Sequence, residues 1–486
     1  MWAIETANDF YDVGVKDDKF ILVSKSNQSC LIAIKTPWGS ITPRIELKNI
    51  EMQGGVLTPL KCSVQMDTLG GEMLNNVKNS KILYKYKDFL SIPPLEFVDD
   101  ILTITECGVK SLKMNGIIQS KMDCKKLELS DKKCFKMHLG KDASSCPNQK
   151  IKSKDMATTS SEKYLGDILT SDAKIDENIK MRCDKGMGLI NQIISILKEI
   201  SFGIYHFEIG MVLRTSMLIN GILFSTEALC NLSTKHIEML EECDKIFMRR
   251  LFEAEQGTPI ESFFLETSAW PIRFILMGRK IIYYWTMLRK SNKELAKQVF
   301  NAQAKFPTKG DWITGVKDIM QKCDINYSEE EIKAMSLFQF KKIVKEKLQL
   351  KVMAYLIALQ NKHTKSEKLN HEVKMQEYLT SSNLTLSDKK LLFKLRSKML
   401  RIKGNFSSMY RRNMSCSLCL DEQTEENENH LLCCPFVARN IQNDIKNVKY
   451  EDVFKDITKQ KMAVKTFKQI MNLYEKQKKM DPPGAS

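Results

Sequence analysis

Four residues near the C-terminal end have the types and spacing of a metal site. Cys416-Ser-Leu-Cys419 is followed, after ten intervening residues, by His430, and Cys434 stands four positions beyond that. Two thiolates three apart can close a knuckle on one ion, and a His and a Cys at i and i+4 share a helix face. The set therefore supplies four ligands for structural Zn2+. The bland alternative is loose thiols on a surface loop, but four ligand types at such spacing rarely fall together by accident. The neighbouring Cys433 is an alternative fourth ligand.

A second constellation is built of oxygen. In Leu95-Glu-Phe-Val-Asp-Asp-Ile-Leu-Thr-Ile104, Asp99 and Asp100 interrupt a run that otherwise reads as strand. Inside a sheet the pair would be costly, whereas a tight hairpin turn would expose both together. Hard carboxylate oxygens presented this way can hold Mg2+, and two such ions about 4 Å apart suit attack of a hydroxyl on a nucleotide's α-phosphate. Asp99 is the better candidate for the principal ligand. Taken alone, an Asp-Asp dipeptide is more often a plain polar turn.

A third feature is electrostatic. Between Lys389 and Ser415 stand nine cations, Lys389, Lys390, Lys394, Arg396, Lys398, Arg401, Lys403, Arg411 and Arg412, with no carboxylate and with Phe406 and Tyr410 interleaved. Such a run can be the solvated face of an amphipathic helix. Its lack of acids beside a zinc segment favours a phosphate-contacting stripe, with salt-dependent binding. The whole chain carries a net charge of +16, which also points to a polyanionic partner.

The elements that must position these groups are of two kinds. At 486 residues the chain is long enough for two to four compact units, and 43% hydrophobic with 28% charged residues is ordinary globular composition. Residues 1–140 mix helical patterns with strand-like runs such as Phe20-Ile-Leu-Val23, Leu31-Ile-Ala-Ile34 and Leu95 to Ile104. Residues 141–162 turn polar and read as a solvated loop. Beyond Lys163 helical periodicity takes over, with Ile190, Ile193, Ile194 and Leu197 on one face and Ile237, Leu240, Ile246, Phe247 and Leu251 on another. Ser328-Glu-Glu-Glu331 is a capping-box pattern, and Ser387-Asp388 marks a second helix start before Leu391. Asp481 to Ser486 reads as a frayed tail. The N-terminus lacks a signal-peptide pattern, and the most apolar stretch, Ile209 to Leu232, is broken by Arg214, Thr215, Ser216 and Asn220. The expectation is a soluble intracellular protein with no membrane partner, nucleus and cytoplasm not being distinguished. Most of the fourteen cysteines are scattered singly, as buried thiols are.

Phe97-Val-Asp-Asp100 resembles the hydrophobic-hydrophobic-Asp-Asp signature of the reverse transcriptases of LINE-type (non-long-terminal-repeat) retrotransposons. It follows Met52-Gln-Gly-Gly-Val-Leu-Thr-Pro-Leu60, which is similar to the Gln-Gly motif that precedes the signature in that family. Leu129-Ser-Asp-Lys-Lys-Cys-Phe135 and Lys163-Tyr-Leu-Gly-Asp-Ile-Leu169 then resemble the family's lysine motif and primer-gripping hairpin. The stretch from Cys183 to Arg250 resembles the thumb and connecting helices. The Cys-Cys-His-Cys segment, with its acidic spacer Asp421 to Glu428 and closing Cys434-Pro435, resembles the C-terminal zinc module.

The resemblance implies an α+β fold with a partial polymerase palm, an antiparallel sheet with helices, over 1–140. After the loop come a primer-grip hairpin and helical thumb over 163–260, and a helical connector ending in the basic stretch over 261–404. A zinc-knuckle module over 405–440 and a C-terminal helix and tail over 441–486 complete the order. The implied activity is RNA-directed DNA polymerisation in retrotransposition, with template RNA, DNA primer or target, and deoxynucleotides as partners. Asp99 and Asp100 would be the catalytic pair, with Lys133 or Lys132 at the leaving pyrophosphate. Gln53, Gly54 and Gly55, whose glycines let backbone pass close, and Tyr164, Leu165 and Gly166 would meet template and primer. The spacing of the family's module favours Cys434 over Cys433. The family has another catalytic aspartate on a strand before the Gln-Gly motif, and Trp2 to Phe10 resembles the helix after that strand, so Met1 falls just past it. Glu5, Asp9 and Asp12 read as the anionic face of that helix and not as substitutes. The expectation is an incomplete two-metal Mg2+ site that polymerises nothing or almost nothing. The alternative is a non-catalytic nucleic-acid-binding zinc protein derived from a retroelement.

Overall fold

A computed structural model describes residues 30–32, 45–47, 71, 81–124, 127–139, 147–151, 154–200, 203–230, 232–362, 374–406, 414–441, 450 and 452–480. Strand pairing within them is local. Cys30–Ile32 (β1) pairs with Ile45–Leu47 (β2), Tyr84–Tyr86 (β3) with Leu90–Ile92 (β4), and Leu95–Phe97 (β5) with Asp100–Leu102 (β6), all antiparallel. Helix α1 (Gly108–Cys124) follows. Phe135–Lys136 (β7) pairs in parallel with Ala157–Thr158 (β10), while Lys150–Ile151 (β8) with Lys154–Asp155 (β9) and Ser161–Tyr164 (β11) with Asp167–Thr170 (β12) are antiparallel hairpins. Segment 141–162, read from its composition as a solvated loop, thus carries short strands in its described residues. Among the described residues every sheet has two strands, and the broad palm sheet implied by the resemblance is not among them.

The chain divides into two compact units, residues 1–175 with 291–306, and residues 176–290 with 307–486. Hairpin β11–β12 therefore falls in the same unit as the Asp pair. In that unit α1 places Met114, Ile118 and Met122 at helical spacing in a core with Ile82 and Leu83, and Ile101 of β6 packs against it. Because strand side chains alternate, seating Ile101 on this core turns the preceding Asp100 outward. Helix α7 (Leu295–Lys305) belongs here too: Gln303 donates to the Tyr86 hydroxyl at 3.1 Å, and Phe306 meets Phe89 edge-on at 5.6 Å.

The second unit is helical. Its helices are α2 (Asp176–Glu199), α3 (His206–Leu213), α4 (Thr234–Phe252), α5 (Ile260–Thr267), α6 (Ile272–Arg289), α8 (Trp312–Lys322), α9 (Glu329–Ala334), α10 (Leu337–Gln360), α11 (Glu377–Thr380), α12 (Leu386–Arg396), α13 (Glu428–Cys433), α14 (Pro435–Asn440) and α15 (Ile457–Met480). The expected apolar faces are used: Ile190, Ile193 and Leu197 of α2 and Leu240, Phe247 and Leu251 of α4 are buried. Phe207, Phe252, Phe263 and Phe393 bring four helices together in one aromatic cluster, with neighbouring ring centroids 4.3–5.4 Å apart. After α3 the chain forms a π-helical turn, Arg214–Ile219, which bulges the helix. The capping box at Ser328 is present, with Glu331 accepting from the Ser328 N–H at 2.7 Å. The start expected at Ser387 lies earlier: Thr385 is the N-cap and forms a capping box with Asp388, because Leu386 already begins the helix. No helix among the described residues is long and apolar enough to cross a membrane.

Candidate metal centre and acidic hairpin

Asn427 begins the construction of the Cys and His cluster. Its side-chain oxygen accepts from the His430 N–H at 2.9 Å, which starts α13 and sets His430 in its first turn. The helix ends at Cys433, so Cys434 leaves the helical path and becomes the N-cap of α14, with Pro435 at the first helical position. On the other side, a bridge between Ser415 and Glu425 folds back the Cys416–Cys419 knuckle, and Leu420 closes it in the left-handed region at φ 59°. The ligand atoms of Cys416, Cys419, His430 and Cys434 all lie within 4.8 Å of one another. In a tetrahedral zinc site two sulfurs stand about 3.8 Å apart and a sulfur and a nitrogen about 3.6 Å apart. Cys419 Sγ lies 3.4 Å from His430 Nε2.

The donor set fits a cation on chemical grounds as well. Burial pushes the Cys416 thiol up to about 12, while the backbone N–H groups of Cys419 and Leu418 point at its sulfur and pull the other way. Cys434 is likewise raised by burial and opposed by the N–H groups of Val437 and Phe436. Sulfurs that are buried yet ringed by N–H donors suit thiolates whose charge a metal ion neutralises. Burial also lowers the pKa of His430, which keeps a ring nitrogen free to bind metal. Cys433 is exposed and outside the cluster, its thiol directed to the Asn429 carbonyl at 3.5 Å, so the fourth position falls to Cys434. Among the described residues this is the one group of three or more His, Cys, Asp or Glu side chains that could hold a metal ion.

Asp99 and Asp100 lie at a two-residue hairpin turn. Phe97 pairs with Asp100, leaving Val98 and Asp99 as the turn, and both carboxylates are exposed. Val98 takes φ 57°, a region that a β-branched residue enters only under strain. The neighbouring hairpin turns on Leu165 at φ 49° and Gly166 at φ 91°, the pattern of a type I′ turn, in which Gly166 is at home and Leu165 is not. The two hairpins meet where the Tyr164 hydroxyl donates to the Leu95 carbonyl at 3.4 Å. Burial and the Asp100 carboxylate both raise the Tyr164 pKa, which places that ring beside the acidic turn. Lys132 and Lys133 are exposed in a turn over 131–133, closed by the Lys133 N–H on the Ser130 carbonyl at 3.1 Å. Gln53, Gly54 and Gly55 lie outside the described residues.

The basic stretch corrects the reading of its composition. Lys389 is fully buried, donating to the carbonyls of Ile204 and Leu379 at 2.5 and 2.7 Å. Arg396 is buried against Glu266. Lys390 pairs with Glu253 at 2.8 Å, Lys394 and Arg401 with Glu255, and Lys398 with the buried Glu428 at 2.8 Å. Lys403 donates to the Ser415 carbonyl at 3.0 Å. These cations bind the protein's own carboxylates and carbonyls, so they do not form a free phosphate stripe. Arg411 and Arg412 lie outside the described residues.

The acidic spacer proves to be the counterpart of the basic stretch. Glu426, buried, accepts from the backbone N–H groups of Ser417 at 2.6 Å and Lys403 at 2.8 Å, and Glu428 accepts from Asn405 at 2.8 Å. Gly404 lies against this strand closely enough that a Cβ would come within 2.5 Å of the Glu426 carbonyl oxygen. From α15, Gln477 donates to the Ser417 carbonyl at 2.9 Å. The metal segment is thereby built into the helical unit.

Sequence reasoning missed the buried cations of that unit. Arg214 forks onto Asp244, with side chains 3% and 1% exposed, and Arg182 holds the carbonyls of Ile222 and Phe224. The available signal was an arginine inside an apolar helical run. No protein-family model matches the chain, and no curated protein matches it.

Proposed function

We propose that this chain belongs to the RNA-directed DNA polymerases of the LINE-type retrotransposon class. One observation carries the reading: two motifs fold as tight hairpins of the same unit, joined by the hydrogen bond from the Tyr164 hydroxyl to the Leu95 carbonyl, 69 positions away. That arrangement suits a site in which Asp99 and Asp100 offer oxygens to Mg2+ while the Tyr164-Leu165-Gly166 turn supports the primer end. Lys133 would serve the leaving pyrophosphate. Two Mg2+ ions need more carboxylate than one turn supplies, so a carboxylate from another segment would complete such a site.

The metal cluster favours a second reading, a non-catalytic nucleic-acid-binding zinc protein, because it is complete where the acidic turn has two carboxylates. Primer extension on an RNA template with Mg2+, alongside RNA binding, tests both. Extension abolished by Asp99→Asn supports the polymerase. No extension, with RNA binding unchanged by Asp99→Asn, supports the binding protein. A chain that binds neither RNA nor an RNA–DNA hybrid sinks both.

A further inference from the structure

In the second unit, α6 and α10 approach closely at Gly278, where a Cβ would meet Leu348 at 3.1 Å, and then diverge around a groove of about 680 Å³. Such a volume is that of a small-ligand site. Three cations line it. Lys341 and Lys345 stand one turn apart on α10, and neither is held by a carboxylate among the described residues. Arg279 spends two of its N–H groups on the Leu223 carbonyl at 3.0 Å and the Asn220 side chain at 2.6 Å, which fix the guanidinium at the wall with further donors to spare.

The rest of the lining is of another kind. Tyr283 offers an aromatic wall, its ring braced edge-on by Trp312 at 5.5 Å and 86°. Glu227 also lines the groove, the one carboxylate among its lining residues. Outside the groove, Phe338 lies on the same face of α10 as Lys341 and is 78% exposed, a platform on which a further ring could stack.

We propose that this groove binds a nucleotide unit, its phosphate held by Lys341, Lys345 and Arg279, its base against Tyr283, and a base N–H donating to Glu227. An inorganic anion would leave Glu227 and the aromatic wall unused, and an acidic peptide would set carboxylate against carboxylate at Glu227. The unit can come from a free nucleotide or from a single strand. The proposal rests on the nucleic-acid reading above, but it places the contact on α6 and α10 and not on the basic stretch.

The test uses the full chain, with a labelled single-stranded RNA followed by anisotropy and GMP followed by calorimetry. K341E/K345E should weaken RNA binding at least about tenfold and reduce the slope of log K against log salt by about 0.7, the share of one single-strand phosphate. The same charge change on exposed lysines elsewhere, K235E/K461E, should leave binding within about twofold, and circular dichroism melts confirm that both variants fold. GMP binding lost in K341E/K345E supports the proposal with a free nucleotide as the source; RNA binding lost there without any GMP binding supports it with a strand. RNA binding no weaker in K341E/K345E than in K235E/K461E overturns the groove while leaving the nucleic-acid reading standing. Displacement of RNA by polyglutamate as readily as by unlabelled RNA also overturns it. Absence of RNA and GMP binding by the unaltered chain overturns both.

Discussion

The Arg396 Nε–H is shared between the two carboxylate oxygens of Glu266, 130 positions away in the chain, at 2.9 and 3.0 Å, with both side chains closed to solvent. The stretch around Arg396 holds no acid, so its charge reads from sequence as unpaired. In the fold, carboxylates from α5, α13 and the turn after α4 come to meet it.

Removing one partner of such a buried pair strands the other charge. Arg396→Ala is expected to cost about 3–5 kcal/mol, whereas Arg401→Ala, at an exposed guanidinium, should cost about 0–1 kcal/mol. Urea midpoints at constant m-value compare the two directly. Equal losses would mean that burial of Arg396 is not what matters.

The fourth metal ligand can be assayed by metal content. Cys434→Ser should purify with little or no zinc and melt at lower temperature, and Cys433→Ser should retain about one zinc per chain. Elemental analysis of the two purified variants decides the matter, and the opposite pattern would move the ligand to Cys433.

Gly404 tests how the metal segment is seated. A methyl group there would press on the Glu426 carbonyl oxygen at 2.5 Å, and that atom is backbone held on both sides. Gly404→Ala is therefore expected to destabilise the protein by about 1–3 kcal/mol and to speed zinc loss to a chelator. A variant with the parent's melting temperature and zinc-release rate would show that the contact relaxes freely.

His206 gives the second unit a defined acid sensitivity. Burial lowers its pKa below the usual 6.5, and Nε2 lies 3.3 Å from the Leu251 carbonyl, as a neutral ring donating its N–H would. The unfolded chain gains a proton near its ordinary pKa while the folded ring does not. Stability is therefore full above about pH 6.5 and falls as the pH drops below it, until the folded pKa is reached. His206→Gln should flatten the fall in melting temperature between about pH 6.5 and 5. An unchanged slope would assign the acid sensitivity to other groups.

What the sequence determined by itself is local. The Asp99 and Asp100 turn was legible because strand, dipeptide and strand are consecutive, and a two-residue hairpin has no other way to place them. The four residues of the candidate metal cluster were legible because all fall within one short segment whose helix start and stop are set by neighbours, Asn427 and Pro435. The alternation that buries Leu240 and Phe247 was legible for the same reason. The tertiary structure alone decided the rest. Cys434 was separated from Cys433 by the point at which α13 ends, and of the cations from Lys389 to Lys403, Lys390, Lys394, Arg396, Lys398 and Arg401 were paired with Glu253, Glu255, Glu266 and Glu428 while Lys389 and Lys403 went to backbone carbonyls. Charge pairing acts through space over a few ångströms, so the acids that decide a lysine's role can stand anywhere in the chain, and local composition is silent about them.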